Sequence, residues 1–163
     1  MTYAQGALLE PLSVVMHGIS RTRLSLGCGV LICGAGPIGL IALAAARASG
    51  AHPIVITDLE PRRLKFAKDY VPYCQIYQVD RTMDEKSNAA AIRALFGSTE
   101  YDAPPTVLEC TGVESSIVTA AYAVRRGGDL MVIGVGKDIM NNLPFMHISL
   151  AEVRIQTPET ESC

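Results

Sequence analysis

Charge is scarce in this chain. Only 18% of its 163 residues are Asp, Glu, Lys or Arg, and 14 basic against 16 acidic side chains leave a formal net charge of −2, with no long block of one sign. Such a surface gives nucleic acid or an anionic membrane little to hold, so neither partner is expected. Hydrophobic residues make up 49%, which excludes disorder and suffices for one domain with a buried core. No two of the five cysteines, Cys28, Cys33, Cys74, Cys110 and Cys163, have the C-x-x-C spacing of zinc ribbons and redox motifs. They read as reduced thiols, and the absence of a basic, then apolar, leader in MTYAQGALLEP adds to the expectation of a cytoplasmic protein. His17, His52 and His147 are far apart and share no metal-ligand spacing, so no bound metal is expected of them. Tyr122 is followed four residues on by Arg126 rather than lysine, which removes the Tyr/Lys pair of short-chain dehydrogenases.

Leu24 to Ala46 carries no charge and has about the length of a membrane span. Gly27, Gly29, Gly34, Gly36, Pro37 and Gly39 crowd it, however, and a buried strand running through a glycine turn into a helix explains it better. That unit recurs along the chain. Glu10-Pro11 opens a helix with Leu12, Val15, Met16 and Ile19 on one apolar face. Strands are expected at Val30–Cys33, Ile54–Thr57, Gln75–Val79, Thr106–Cys110, Leu130–Ile133 and Val153–Gln156, each short and mostly apolar. Between them lie helices over Pro37–Ser49, from Pro61 with Leu64 and Ala67 inward, over about Asp84–Phe96, and around Ile117, Ala120, Ala121 and Val124. Strands alternating with helices imply right-handed crossovers and a sheet covered on both faces. The expected fold is α/β: a doubly wound Rossmann fold whose six-stranded, mainly parallel sheet has the order 3-2-1-4-5-6. One domain is expected over residues 1–156, with 1–22 as its linker and first helix, and 157–163 as a polar tail.

Gly34-Ala35-Gly36-Pro37-Ile38-Gly39 is a GxGxxG between a strand and a helix. Gly34 permits the tight turn, Gly36 lets the backbone approach a pyrophosphate, Gly39 lets helix pack on strand, and the helix N-terminus offers free N–H groups to the anion. Asp58 ends the second strand about 20 residues further on, where a carboxylate receives the adenosine ribose hydroxyls and repels a 2′-phosphate. NAD is therefore expected rather than NADP. Arg62 and Arg63 can be read as solvated or adenine-side guanidiniums, or as holders of a 2′-phosphate. Glu109, at the end of the fourth strand, either lines the cleft or is solvated.

Several separated segments resemble one family in order. They are Gly6-Ala7-Leu8-Leu9-Glu10-Pro11-Leu12-Ser13-Val14, Val30 through Leu40, Ile56-Thr57-Asp58, Glu109-Cys110-Thr111-Gly112 and Val132-Ile133-Gly134-Val135-Gly136. From Gly6 to about Gln156 the chain is similar to the cofactor domain of the zinc-dependent polyol dehydrogenases of the medium-chain dehydrogenase/reductase superfamily, which includes sorbitol, xylitol and L-arabinitol dehydrogenases. The resemblance implies NAD-linked oxidation of a polyol to a ketose. It places Ile38, Asp58 and Arg63 on NAD and lays Ile133, Gly134 and Val135 along the nicotinamide. By the same resemblance Glu10 stands beside the family's catalytic zinc, although an acid opening a helix also suits the dipole. The family's zinc ligands have no counterpart in these segments, so this chain is expected to hold no zinc and to be inactive by itself. The resemblance further implies a homo-oligomer in which Leu143, Pro144, Phe145 and Met146 form an edge that pairs with a second subunit. The alternatives are a non-catalytic NAD-binding or subunit-interaction protein of the same descent and, more remotely, an S-adenosylmethionine methyltransferase.

Overall fold

A computed structural model describes residues 2–158. Thr2 and Gln5 form a reciprocal capping box on α1 (Tyr3–Ala7), a short helix the apolar pattern did not announce. It leads into α2 (Leu9–Arg21), whose first turn carries Glu10. Strand β1 (Val30–Cys33) passes through the glycine turn to α3 (Pro37–Ala48), and β2 (Ile54–Asp58) to α4 (Pro61–Tyr70). Pro37 and Pro61 both stand at the start of their helices, where a missing N–H costs nothing. Then come β3 (Gln75–Gln78), α5 (Glu85–Ala94) capped by Asp84, β4 (Thr106–Glu109), α6 (Glu114–Ala123), β5 (Asp129–Val132), α7 (Phe145–Leu150) and β6 (Arg154–Gln156).

The sheet order is β3-β2-β1-β4-β5-β6, with every neighbouring pair parallel. Sheet, helices and strand order therefore agree with the sequence reading, with boundaries shifted by a residue or two. Val30, Leu31, Ile32 and Cys33 are all buried because β1 lies between layers. One face packs Ile32, Ile56 and Leu108 against Val15, Leu43 and Leu64 of α2, α3 and α4. The other packs Leu31, Val55 and Val107 against Ala89, Ile92 and Ile117 of α5 and α6. A buried Asp129 opens β5 and ties the chain's ends to the sheet: it accepts Arg23 Nε at 3.1 Å and Arg154 Nε at 2.7 Å. Among the described residues no helix is long and apolar enough to cross a membrane.

Three expectations need correction or qualification. Leu143–Met146 does not form an edge strand. Pro144 caps α7, its carbonyl accepting the Ile148 N–H, so Phe145 and Met146 occupy a helix's first turn, both exposed. The imide ring that limits Pro144 as a ladder donor suits it to that position. The expected apolar face of α2 splits: Val15 and Ile19 are buried with Gly18, while Leu12 and Met16 are half exposed. The contact runs through Gly18, where an added Cβ would lie 3.0 Å from Ile133 Cδ1, and this turns the helix away from Leu12 and Met16. Of the expected polar tail, residues 159–163 lie outside the described residues.

Candidate nucleotide-binding site

The strand order reverses between β1 and β4, and the carboxyl ends of β1, β2 and β4 converge there on a cavity of about 650 Å³. Gly34 leaves β1 with φ at +98° and donates its N–H to the Thr57 carbonyl at 2.8 Å. A Cβ there would lie 2.7 Å from Thr111 Cγ2, and one at Gly39 would lie 1.8 Å from the Gly34 carbonyl oxygen. Both glycines are thus required by the protein's own packing. Gly36 differs: a Cβ there would meet nothing within 4 Å. It is the N-cap of α3 and provides no side-chain cap, so the Ile38 and Gly39 N–H groups of the first turn receive no bond from it. A bare glycine before an uncapped N-terminus fits an approaching phosphate, an anion the helix dipole favours.

Asp58 borders this turn. One carboxylate oxygen accepts the Ala35 N–H and the other the Glu60 N–H, both at 2.8 Å, and Arg63 Nη1 lies 3.7 Å away. Each oxygen keeps a further lone pair for a hydroxyl donor. Arg81, in the turn after β3, joins Arg63 in lining the same cavity, although it belongs to no motif. Thr111 and Val113 line the same cavity. An adjoining cleft of about 920 Å³ shares Thr111 and Val113 and extends to Val135 and Gly136.

Gly34, Gly36, Asp58 and Arg63 are therefore brought to one cavity and Val135 to the next, where its side chain is 97% exposed. Pro37, Ile38 and Gly39 form the first turn of α3 beneath the cradle, with Ile38 packed partly against the core. Ile133 is buried, its side chain turned into the core against Gly18, and Gly134 follows it. Glu10 is exposed on α2 and lines neither cavity. Among the described residues no three His, Cys, Asp or Glu side chains come together to hold a metal, so the donor set does not fit a catalytic zinc, which needs about three.

Glu109 is the residue most misjudged from sequence. It is neither solvated nor open to the cleft but wholly buried, its carboxylate held by Thr111, Gly112 and Ser116. The legible signal was its place in Glu109-Cys110-Thr111-Gly112 at the end of the strand beside β1; missing was the loop's return over the carboxylate. Burial, and then the Glu109 charge, push the Cys33 thiol far above its ordinary value, and the same causes raise Cys110. Both thiols stay protonated at neutral pH and are poor nucleophiles, so the cavity is suited to binding rather than thiolate chemistry.

Residues 37–158 match the family model described as zinc-binding dehydrogenase. L-arabinitol 4-dehydrogenase of Aspergillus oryzae is 50% identical over 161 residues, covering 96% of this chain and 42% of that protein. Sorbitol dehydrogenase of Mus musculus is 41% identical over 156 residues, again covering 96% of this chain and 42% of its own length. Among solved structures, 2R,3R-butanediol dehydrogenase from Bacillus subtilis superposes with a TM-score of 0.78 at 25% identity, over 96% of this chain and 42% of that one. The chain thus spans about 42% of the length of the relatives it matches.

Proposed function

The chain belongs to the zinc-binding dehydrogenase family, and from that membership we propose that residues 1–156 are the NAD-binding domain of a polyol dehydrogenase, which oxidises a polyol to a ketose. The observation that carries the proposal is the cradle at Gly36, open above its backbone and bounded by Asp58. In this reading the N–H groups of Ile38 and Gly39 receive the pyrophosphate, with Pro37 fixing the first turn. The free lone pairs of Asp58 receive the adenosine ribose hydroxyls, and its charge disfavours a 2′-phosphate. Arg63, already leaning on Asp58, borders the adenosine, while the backbone of Ile133 and Gly134 and the exposed Val135 lie along the nicotinamide. The bound dinucleotide supplies the hydride acceptor; the protein supplies its orientation and excludes water from one face. Zinc belongs to the proposal only as a component of full-length relatives, since the described donor set does not fit it.

The same proposal includes a cytoplasmic location, tested by fractionation, and self-association through Phe145 and Met146, now as a helix face. Loss of association in sedimentation on changing Phe145 to Ala is the expected sign. The rival, a non-catalytic NAD-binding or subunit-interaction protein, shares the cofactor site and differs only in turnover. Cofactor binding does not separate the two; it tests the site they share, by calorimetric titration of the chain with NADH, NADPH and S-adenosylmethionine. Preference for NADH is expected; binding of S-adenosylmethionine alone, or of none of the three, would overturn the reading.

A further inference from the structure

The Glu109 side chain holds one strip of backbone, at Thr111 and Gly112, and reaches a second, at Ile133 and Gly134, through the packing of Gly134 and Gly136 on Gly112. Its Oε1 accepts the Thr111 N–H at 3.0 Å, the Ser116 hydroxyl at 2.9 Å and the Thr111 hydroxyl, and its Oε2 accepts the Gly112 N–H at 2.9 Å. Its main-chain carbonyl accepts the Ile133 N–H at 2.7 Å and the Gly134 N–H at 2.9 Å. A carboxylate with no exposed surface must have its lone pairs filled, and here every side-chain bond comes from the residues that wall the two cavities. The strips also interlock. A Cβ on Gly134 would lie 2.1 Å from the Gly112 nitrogen, and one on Gly136 would lie 1.9 Å from the Gly112 oxygen.

We infer that Glu109 is a positioning residue that fixes Thr111–Val113 and Ile133–Val135 relative to one another, so that the two halves of a dinucleotide meet walls set at one spacing. The inference rests on the nucleotide reading of the site. It assigns Glu109 no contact with the cofactor; it acts through Thr111, Gly112 and the strip beyond. Neutral Gln retains the shape but turns one accepting oxygen into a donor that must face an N–H, so Glu109→Gln breaks the arrangement without removing volume.

The test compares the wild-type chain with Glu109→Gln in two measurements. In the ligand-free proteins, amide hydrogen exchange is expected to accelerate at Thr111 and Gly112 and also at Ile133 and Gly134, while Val107 within β4 stays protected. In titrations followed by NADH fluorescence, the variant is expected to bind at least about tenfold more weakly, the loss typical of a charge-assisted bond, and bound NADH should emit more like the free molecule. Faster exchange confined to Thr111 and Gly112 would show that the strips are not joined. Unchanged affinity and emission with only a lower melting temperature would make Glu109 merely structural, and either result overturns the inference. Should Glu109→Gln fail to fold, Ser116→Ala keeps the charge and removes one donor. It should weaken NADH severalfold, and wild-type affinity there would equally overturn the inference. If the wild-type chain binds no NADH, the cofactor reading falls, while the ligand-free exchange pattern still decides whether Glu109 joins the strips.

Discussion

The Asp58 carboxylate accepts the Ala35 N–H at 2.8 Å, so the acid at the end of β2 is also the strut of the glycine turn. Asp58→Ser should therefore do more than admit a 2′-phosphate. Losing a charge-assisted bond lets the turn relax, and NAD affinity is expected to fall about tenfold or more. NADP gains from the removed repulsion but meets the same loosened turn. The gap between the two cofactors should narrow without NADP reaching wild-type NAD affinity. Calorimetry with both cofactors checks this, and NADP binding as tight as wild-type NAD would show that the strut is unimportant.

Two glycines of one turn should respond oppositely. Gly36 has φ at −77° and open space where a Cβ would go, so Gly36→Ala should leave the melting temperature nearly unchanged and weaken dinucleotide binding. Gly39→Ala forces a Cβ to 1.8 Å from the Gly34 oxygen, which backbone cannot yield, and should cost about 1–3 kcal/mol of stability. Thermal melts and NADH titrations of both variants separate ligand approach from packing.

Most of the sheet was legible because Val30–Cys33, then Ile54, Val55 and Ile56, then Val107 and Leu108 are buried, which writes itself as short unbroken apolar runs. The glycine turn and Asp58 were legible for a different reason, since backbone conformation and a fixed spacing demand those residue types. What escaped depends on contacts between segments distant in sequence. Glu109 is buried because residues 111–116 fold back over it, and Leu12 is half exposed because Gly18 sets how α2 lies on Ile133. Helix α7 escaped because the edge at Leu143, Pro144, Phe145 and Met146 was implied by the family resemblance and not by a periodic pattern, and a helix of six residues is too short to show one.

Asp129 is buried between Arg23 and Arg154 and joins the segment after α2 to the edge strand β6. Both arginines are half exposed and can rehydrate, so the cost of Asp129→Asn is limited mainly to the buried carboxylate's lost partners, about 1–3 kcal/mol. Urea unfolding should show the loss, with β6 amides exchanging first. Dinucleotide affinity should hold, because Asp129 opens β5 at the end of the sheet opposite the cavity.

Acid should lower the stability of the chain through its turn and cap carboxylates. The Thr82 hydroxyl holds Asp80 below the usual carboxylate range; bonding to Ser87 does the same for Asp84, and the Thr99 hydroxyl for Asp102. A folded-state value below the unfolded one, about 3.9, contributes stability that is present above that value and lost as pH falls through the folded one. The urea midpoint is expected to be flat in this contribution from pH 5 to 7 and to drop below about pH 4. Asp84→Ala, which uncaps α5, should lower the neutral-pH midpoint and reduce the size of the acid drop.

Zinc is the component the described residues are least equipped to retain. A catalytic site needs about three protein ligands converging with one position open, and the described His, Cys, Asp and Glu side chains form no such group. Glu10, which the family resemblance sets beside the metal, is exposed on the first turn of α2 and lines neither cavity. The buried Cys33 thiol, with its raised pKa, would have to lose a proton next to the Glu109 charge before it could serve as a ligand. The chain dialysed against zinc and then against buffer should therefore keep far less than one metal per molecule by atomic absorption. Without a metal to stabilise an alkoxide, a polyol hydroxyl stays protonated at neutral pH, and a correctly seated nicotinamide has little to accept hydride from. NADH formation from sorbitol, xylitol or L-arabinitol should accordingly stay at background for the isolated chain. One tightly held zinc per chain, or turnover near that of a full-length relative, would show that ligands converge where the described donors do not.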